Sequence, residues 1–188
     1  MIGFAMCGSF CTHSESLRLL SALSAKYDIL PILSETAFST DTRFGSASKL
    51  IFELEAITKR HVIHSIEAAE PLGPKTPLEC LIICPCTGNT LAKLASGITD
   101  TAVTMAAKAH LRCDRPLLIT LASNDAMSAN LGNIAKLLNR KNVYFTPMIQ
   151  DDPAGKPHSL VADFTRVESS LEKAMQGLQV RPLFLQNL

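Results

Sequence analysis

The segment Leu81-Ile82-Ile83-Cys84-Pro85-Cys86-Thr87-Gly88-Asn89-Thr90-Leu91-Ala92-Lys93-Leu94-Ala95 passes from a nearly unbroken apolar run, through small polar residues, into helical spacing. An apolar run without polar alternation marks a strand buried on both faces. Thr87-Gly88-Asn89-Thr90 has the residue types of a turn and a helix start, and Leu91 to Ala95 reads as the helix itself. A strand buried on both faces needs helices above and below it, so this segment points to a parallel sheet in an α/β protein.

The same alternation extends in both directions. Toward the N-terminus, the strand-like run Ile2 to Met6 ends in Cys7-Gly8-Ser9, and Ser14 to Ala25 follows with Leu17, Leu20 and Leu23 on one helical face. Ile29 to Leu33 is a second run, closed by Ser34-Glu35-Thr36. Phe44, Ala47, Leu50, Ile51, Leu54 and Ile57 then recur at helical spacing. His61 to Ile66 reads as a short third strand, followed by the loop Glu70-Pro71-Leu72-Gly73-Pro74-Lys75-Thr76-Pro77, whose prolines exclude regular helix.

Beyond Ala95, Asp100 to Leu111 is helical in period, and Leu117 to Leu121 is a fifth strand ending in Ala122-Ser123-Asn124-Asp125. A short helix near Leu131 to Leu138 and a sixth strand from Val143 to Met148 complete the pattern. After the polar loop Asp151-Asp152-Pro153-Ala154-Gly155-Lys156-Pro157, a helix is expected from about residue 159 to 177, with Leu160, Phe164, Val167, Leu171 and Met175 on its apolar stripe. The sequence thus predicts one domain over residues 1–188: a doubly wound, Rossmann-like parallel sheet of about six strands with helices on both faces.

Composition narrows the function. The 188 residues are 47% hydrophobic, and 18 Lys plus Arg stand against 17 Asp plus Glu, which leaves no strong field for nucleic acid or an anionic membrane. No apolar run reaches the roughly 18 to 20 residues of a membrane span, and no basic region leads into an apolar signal core. A cytoplasmic protein is expected. Cys7, Cys11, Cys80, Cys84, Cys86 and Cys113 lack the paired spacing of a zinc site, so they read as reduced, mostly packed thiols with no metal.

In open parallel sheets, ligands bind beyond the carboxyl ends of the strands. Four of these ends are small and polar here: Gly8-Ser9, Ser34 with Thr36, Thr87-Gly88-Asn89-Thr90, and Ser123-Asn124. Hydroxyls and amides beside free helix N–H groups form an anion cradle, which implies a phosphate-bearing ligand. The same residue types also serve as N-caps and turn residues. Neither GxGxxG nor GxxxxGK[ST] is present.

The run from Cys84 through Asp100, with Thr87-Gly88-Asn89-Thr90-Leu91-Ala92-Lys93-Leu94-Ala95 and Gly97-Ile98-Thr99-Asp100, resembles the signature of the homo-oligomeric FMN-binding cysteine decarboxylase superfamily of flavoproteins. Within it, the chain is similar to the dipicolinate synthase B-subunit family of endospore-forming bacteria. That likeness rests on Ser39-Thr40-Asp41-Thr42-Arg43-Phe44-Gly45, Ala69-Glu70-Pro71-Leu72-Gly73-Pro74-Lys75, Met105-Ala106-Ala107-Lys108-Ala109 and Lys141-Asn142-Val143-Tyr144-Phe145.

The resemblance implies FMN as cofactor. Gly8, Ser9 and Ser34, with Thr36, would hold its phosphate and ribityl chain; Pro85, Thr87, Gly88, Asn89, Thr90, Ser123 and Asn124 would flank the isoalloxazine. In the decarboxylase branch a Pro-x-Met-Asn-x-x-Met motif follows the fifth strand. Here Leu121-Ala122-Ser123-Asn124-Asp125-Ala126-Met127 keeps the Asn and the last Met alone. The catalytic His of that branch, eighteen residues before the signature Asn, is replaced by Pro71, so cysteine decarboxylation is not expected.

The implied activity is oxidation of a dihydrodipicolinate-type precursor to dipicolinic acid during sporulation, in the mother cell. It would need an A subunit that carries NADP or NAD, and this chain would form a trimer-based homo-oligomer. Arg43 and Lys75 are candidates for the carboxylates of a small dicarboxylate substrate, since a guanidinium fork suits that group, although solvated surface cations are the plainer reading. Asn124, Asp125 and Glu70 are the candidates for catalysis. Two other readings are a scaffolding subunit that keeps the fold without flavin, and a stand-alone FMN-dependent lyase or prenyl-transferring relative.

Overall fold

A computed structural model describes residues 1–186. Five parallel strands form the centre: β1 (Ile2–Met6), β2 (Ile29–Leu33), β3 (Cys80–Cys86), β4 (Leu117–Ser123) and β5 (Val143–Phe145), in spatial order β2-β1-β3-β4-β5. Strand order reverses at β1 and β3, the place where such sheets open a crevice at their carboxyl edge. Every residue of β1 to β4 is buried, which is why these strands carry no polar alternation.

Helices cover both faces. On one, Ala5, Ile83 and Ile119 pack with Leu91, Ala106 and Ile134 from α5 (Gly88–Ser96), α6 (Ala102–Leu111) and α7 (Leu131–Leu138). On the other, Phe4, Ile82 and Leu118 pack with Leu20, Leu54 and Val167 from α1 (His13–Ser24), α3 (Ala47–Thr58) and α8 (Val167–Met175). Two short helices, α2 (Glu35–Ser39) and α4 (Ile66–Ala69), complete the set. Caps start several of them: Ser34, Ser46, Ser65, Thr87 and Thr101 each accept a backbone N–H with the side-chain oxygen.

Pro85 sits inside a central strand, where its missing N–H would ordinarily break the ladder. The register of β3 against β4 shifts between Ile83 and Cys86, so the proline occupies an irregularity where the ladder has already opened. Its carbonyl still accepts the Cys7 N–H at 3.1 Å.

The structure corrects four of the expected elements. His61 to Ile66 is not a strand: Ile63 alone makes a parallel bridge to Ile32, and Ile66 opens α4 behind the Ser65 cap. The sixth strand divides into β5 and β6 (Met148–Ile149), with Thr146 and Pro147 between them. The C-terminal helix begins at Val167 instead of about 159 and ends at Met175 instead of 177, because Leu160–Ala162 forms β7 and Phe164–Arg166 a 3-10 turn. β7 runs antiparallel to both β4 and β6, so the mostly parallel sheet has seven strands. Finally, α5 starts at Gly88, three residues before Leu91.

The segment after α8 closes the sheet edges. Gln179 takes the Phe145 N–H on Oε1 at 2.9 Å and returns Nε2–H to the Phe145 carbonyl at 2.7 Å, acting as a short strand partner for β5. Met148 N–H donates to Leu183 O, and Leu185 N–H to Met148 O, both at 2.8 Å. The polar groups of an open edge are paired in this way.

Candidate functional site

Parallel register brings the turns after β1, β2, β3 and β4 to one edge. The Ser34 N–H donates to Met6 O at 3.0 Å and the Cys7 N–H to Pro85 O at 3.1 Å, which joins the first three ends. A Cβ on Gly8 would lie 3.2 Å from Thr36 Cγ2 and 3.5 Å from the Phe10 ring, so the β1 turn is closely backed by the start of α2. Gly8, Ser9, Ser34, Thr36, Thr87, Asn89, Ser123 and Asn124 therefore share this edge.

Their hydroxyls and amides do different work. Ser34 and Thr87 accept the N–H of Ala37 and Thr90, both at 3.3 Å, as N-caps of α2 and α5. The Thr87 hydroxyl donates to Thr90 Oγ1 at 3.2 Å, and Thr90 donates on to Cys7 Sγ at 3.3 Å. Thr90 is buried and spends its hydroxyl internally; Pro85 is buried within β3. Asn89 and Asn124 are exposed, and their amides make no internal hydrogen bond among the described residues.

Behind Gly88 lies a polar cluster. Ser123 Oγ donates to Asp125 Oδ1 at 2.5 Å, Asn130 Nδ2 donates to the same oxygen at 3.0 Å, and Asn133 Nδ2 donates to Asn130 Oδ1 at 2.9 Å. The Ser123 hydroxyl, supported by the Asn130 amide and opposed by partial burial, holds the Asp125 carboxyl below the usual carboxylate range. A Cβ on Gly88 would fall 2.5 Å from Ser123 Oγ and 2.7 Å from both Asn130 Nδ2 and Asp125 Oδ1. Gly88 is thus the residue that lets α5 start against this cluster.

Sequence reasoning missed His13 and Asn130. His13 opens α1, is buried, and donates from Nε2 to the Cys7 carbonyl at 2.7 Å, bracing the β1 turn from below. Desolvation pulls its pKa below the usual imidazole range. Asn130 precedes α7 as an N-cap would, yet its side chain makes no cap and serves Asp125 instead. The buried thiols Cys7 and Cys84 are unreactive here: burial pushes Cys7 up to about 11 and Cys84 up to about 12.

Glu70 and Lys75 are not brought to this edge within one chain. Their loop precedes β3 and lies at the amino ends of the strands, where Glu70 pairs with Arg112 at 3.3 Å. Gly73, at φ +126°, approaches Ala109 O so closely there that a Cβ would fall 2.3 Å from it. Arg43 is on the correct edge, in the α2–α3 connection, exposed, with its guanidinium 4.8 Å from the Phe44 ring centroid. Beside it, a groove of about 580 Å³ runs from Phe10 and Cys11 along α1 and α3, walled by Leu17, Phe44, Leu50 and Phe52.

A model of the family described as Flavoprotein matches residues 1–166. The chain belongs to the flavoprotein family. Its similarity to the B subunit of dipicolinate synthase from Bacillus subtilis (strain 168) is 40% identity over 187 residues, 99% of this chain and 94% of that protein. The crystal structure of the corresponding B subunit from Bacillus halodurans superposes with a TM-score of 0.91 at 39% identity, covering 100% of this chain and 96% of the other. The flavoprotein fold extends to the FMN-dependent cysteine decarboxylase SpaF, with a TM-score of 0.67 at 21% identity over 92% of this chain and 95% of that one.

As a flavoprotein-family site, the edge has features that suit a flavin nucleotide. The exposed Asn89 and Asn124 amides make no internal hydrogen bond among the described residues, and Asn89 lies in the first turn of α5, where helix N–H groups are free. Among the described residues, no helix is long and apolar enough to cross a membrane.

Proposed function

We propose that this chain is an FMN-binding subunit that works with a nicotinamide-dependent partner chain to oxidise a dihydrodipicolinate-type dicarboxylate to dipicolinic acid. Its setting is the cytoplasm of the mother cell of a sporulating bacterium, and its assembly is a homo-oligomer built on trimers. The observation that carries this reading is the convergence of Gly8-Ser9, Ser34, Thr87-Gly88-Asn89 and Ser123-Asn124 at the carboxyl edge, in a chain similar end to end to dipicolinate synthase B subunits.

Gly8, Ser9, Ser34 and Thr36 would hold the phosphate and ribityl chain; Thr87 and Gly88 shape the start of α5; Asn89, Ser123 and Asn124 would meet the polar edge of the ring. Bound flavin would supply a two-electron acceptor. Aromatising a dihydropyridine removes one hydride and one proton. The hydride would be accepted by flavin or by nicotinamide, and the nicotinamide would be held by the partner chain, since this chain has no dinucleotide fingerprint. The proton goes to the Asp125 carboxylate, whose Oδ1 is held by Ser123 and Asn130 while Oδ2 is outside that pair. Arg43 is a cation on this edge available to a substrate carboxylate.

The test is a visible absorbance scan of the purified chain, with FMN titrated into any colourless protein. FMN binding that weakens in Ser9→Ala and Asn89→Ala supports the flavoprotein role. Colourless protein that binds no FMN refutes it and leaves the scaffolding role. Catalysis by this chain without its partner would instead indicate a stand-alone lyase or prenyl-transferring enzyme.

A further inference from the structure

The residue before the Gly8-Ser9 turn is tied at each of its polar atoms. Cys7 donates its N–H to Pro85 O at 3.1 Å, and its Sγ accepts the Thr90 hydroxyl at 3.3 Å. Its carbonyl accepts twice: from the Ser9 N–H at 2.9 Å, which closes a three-residue turn over Gly8, and from His13 Nε2 at 2.7 Å. A carbonyl only accepts, so Nε2 carries the proton. The Ser9 carbonyl is engaged as well, by the Thr12 N–H at 3.0 Å and the Thr12 hydroxyl at 2.8 Å. The Gly8 N–H has no acceptor among the described residues.

The two donors on the Cys7 carbonyl have different origins. Ser9 belongs to the cradle, whereas His13 is the first residue of α1 and comes from outside the turn. Phe10 helps to hold the imidazole: the two ring centroids are 5.1 Å apart, and the same Phe10 ring lies 3.5 Å from where a Cβ on Gly8 would fall. His13 is 9% exposed and Cys7 is 1% exposed, so their hydrogen bond is shielded from water. A phosphate oxygen drawn to the turn needs the Ser9 N–H, which is engaged with the Cys7 carbonyl. Withdrawing the one donor of a buried carbonyl carries the full penalty of an unmade hydrogen bond, but the Cys7 carbonyl has a second.

We infer that His13 is a positioning residue for the phosphate end of a flavin nucleotide: its Nε2–H keeps the buried Cys7 carbonyl satisfied, which releases the Ser9 N–H to join the Gly8 N–H on a phosphate oxygen. His13 itself touches no ligand in this role. The inference rests on reading the cradle as a flavin site.

The experiment titrates FMN and riboflavin separately into the full chain, as wild type, His13→Leu and His13→Gln. Riboflavin shares the ring and the ribityl chain but lacks the phosphate, so it reports any merely structural loss. His13→Leu removes the second donor, and FMN then binds only by leaving the Cys7 carbonyl empty; FMN weakens about tenfold or more while riboflavin is unchanged. Glutamine carries an amide N–H about as far along its side chain as Nε2, so His13→Gln restores most of the FMN affinity. If His13→Leu fails to fold, His13→Asn takes its place, because its shorter side chain stops short of the Cys7 carbonyl and gives the same loss.

FMN affinity that is unchanged in His13→Leu overturns the role of His13, as do equal losses of FMN and riboflavin, or a His13→Gln protein as weak as His13→Leu; the flavin reading stands in each case. Wild type that binds FMN no more tightly than riboflavin also overturns the role, since the phosphate is then not held at the turn. Wild type that binds neither refutes the flavin reading and this inference with it.

Discussion

Gly88 and Gly132 are both near the start of a helix, and replacing each with alanine should move stability in opposite directions. At Gly132 in α7, an added Cβ meets nothing within 4 Å. The substitution gains helix propensity and restricts the unfolded chain, a stabilisation of about 0.5 kcal/mol at this early position. At Gly88 the same methyl falls 2.5 Å from Ser123 Oγ and 2.7 Å from Asn130 Nδ2 and Asp125 Oδ1. Overpacking of a close-packed site costs about 1–3 kcal/mol, and spreading the cluster weakens hydrogen bonds to a charged carboxylate worth about 1.5–3 kcal/mol. Partial relaxation puts the net destabilisation at about 2–4 kcal/mol.

Urea unfolding of both variants at one protein concentration measures this, because self-association would otherwise shift the apparent stability. For a chain of this length, 1 kcal/mol corresponds to about 2–4 °C, so Gly88→Ala should lower the thermal midpoint by about 4–16 °C while Gly132→Ala raises it slightly. Gly88→Ala should also weaken FMN, since it displaces Ser123 and the first turn of α5. A Gly88→Ala protein as stable as Gly132→Ala would refute the close packing of α5 on the Ser123–Asp125–Asn130 cluster, and with it the view that this helix start is shaped by what lies behind it.

Three further outcomes follow from particular contacts. His110 is fully buried, its Nε2–H donates to Pro116 O at 2.8 Å, its Nδ1 has no partner among the described residues, and desolvation lowers its pKa. The unfolded chain therefore binds the proton more readily, so stability is complete above about pH 6.5 and falls as pH drops below it; a denaturation series across that range should be shallower in His110→Leu. Lys93 and Asp100 of the family signature pair at 2.8 Å, tying the end of α5 to the segment before α6 away from the cradle; Lys93→Gln should leave FMN affinity unchanged in the same titration that detects Asn89→Ala. Gln179→Ala leaves both polar groups of Phe145 without their partner and should cost about 1–2 kcal/mol in urea unfolding.

How much of this was legible depended on whether burial or tertiary pairing set the pattern. β1, β2, β3 and β4 are buried along their whole length, so each reads as an apolar run closed by small polar residues, and the cradle loops are read from the same boundaries. His61 to Ile66 misled because its apolar residues have unrelated uses: Val62 fills the core, Ile63 bridges to β2, and Ile66 begins α4. Leu160 and Phe164 share helical spacing with Val167 and Leu171, yet they are buried for other reasons, one in β7 and one in a 3-10 turn. No local pattern announces that a strand will return antiparallel onto β4. The Asp125–Asn130 contact was equally hidden, since it closes across a turn, and Lys75 read as a site residue although its loop folds to the far end of the sheet.

The cysteines give the molecule a chemical clock for its own opening. Cys7, Cys80, Cys84 and Cys86 are sealed in the sheet, and burial raises Cys7 to about 11 and Cys80 and Cys84 to about 12, so in the closed fold they have neither solvent access nor thiolate at neutral pH. Cys11 is exposed to solvent at the mouth of the crevice, and Cys113 is partly exposed. A thiol reagent should therefore modify Cys11 at once and reach the strand cysteines only as fast as β1 and β3 part from their neighbours. Counting labelled sulfurs against time would measure, under native conditions, how often the centre of the sheet opens, and slower labelling of Cys11 would report when the crevice is filled.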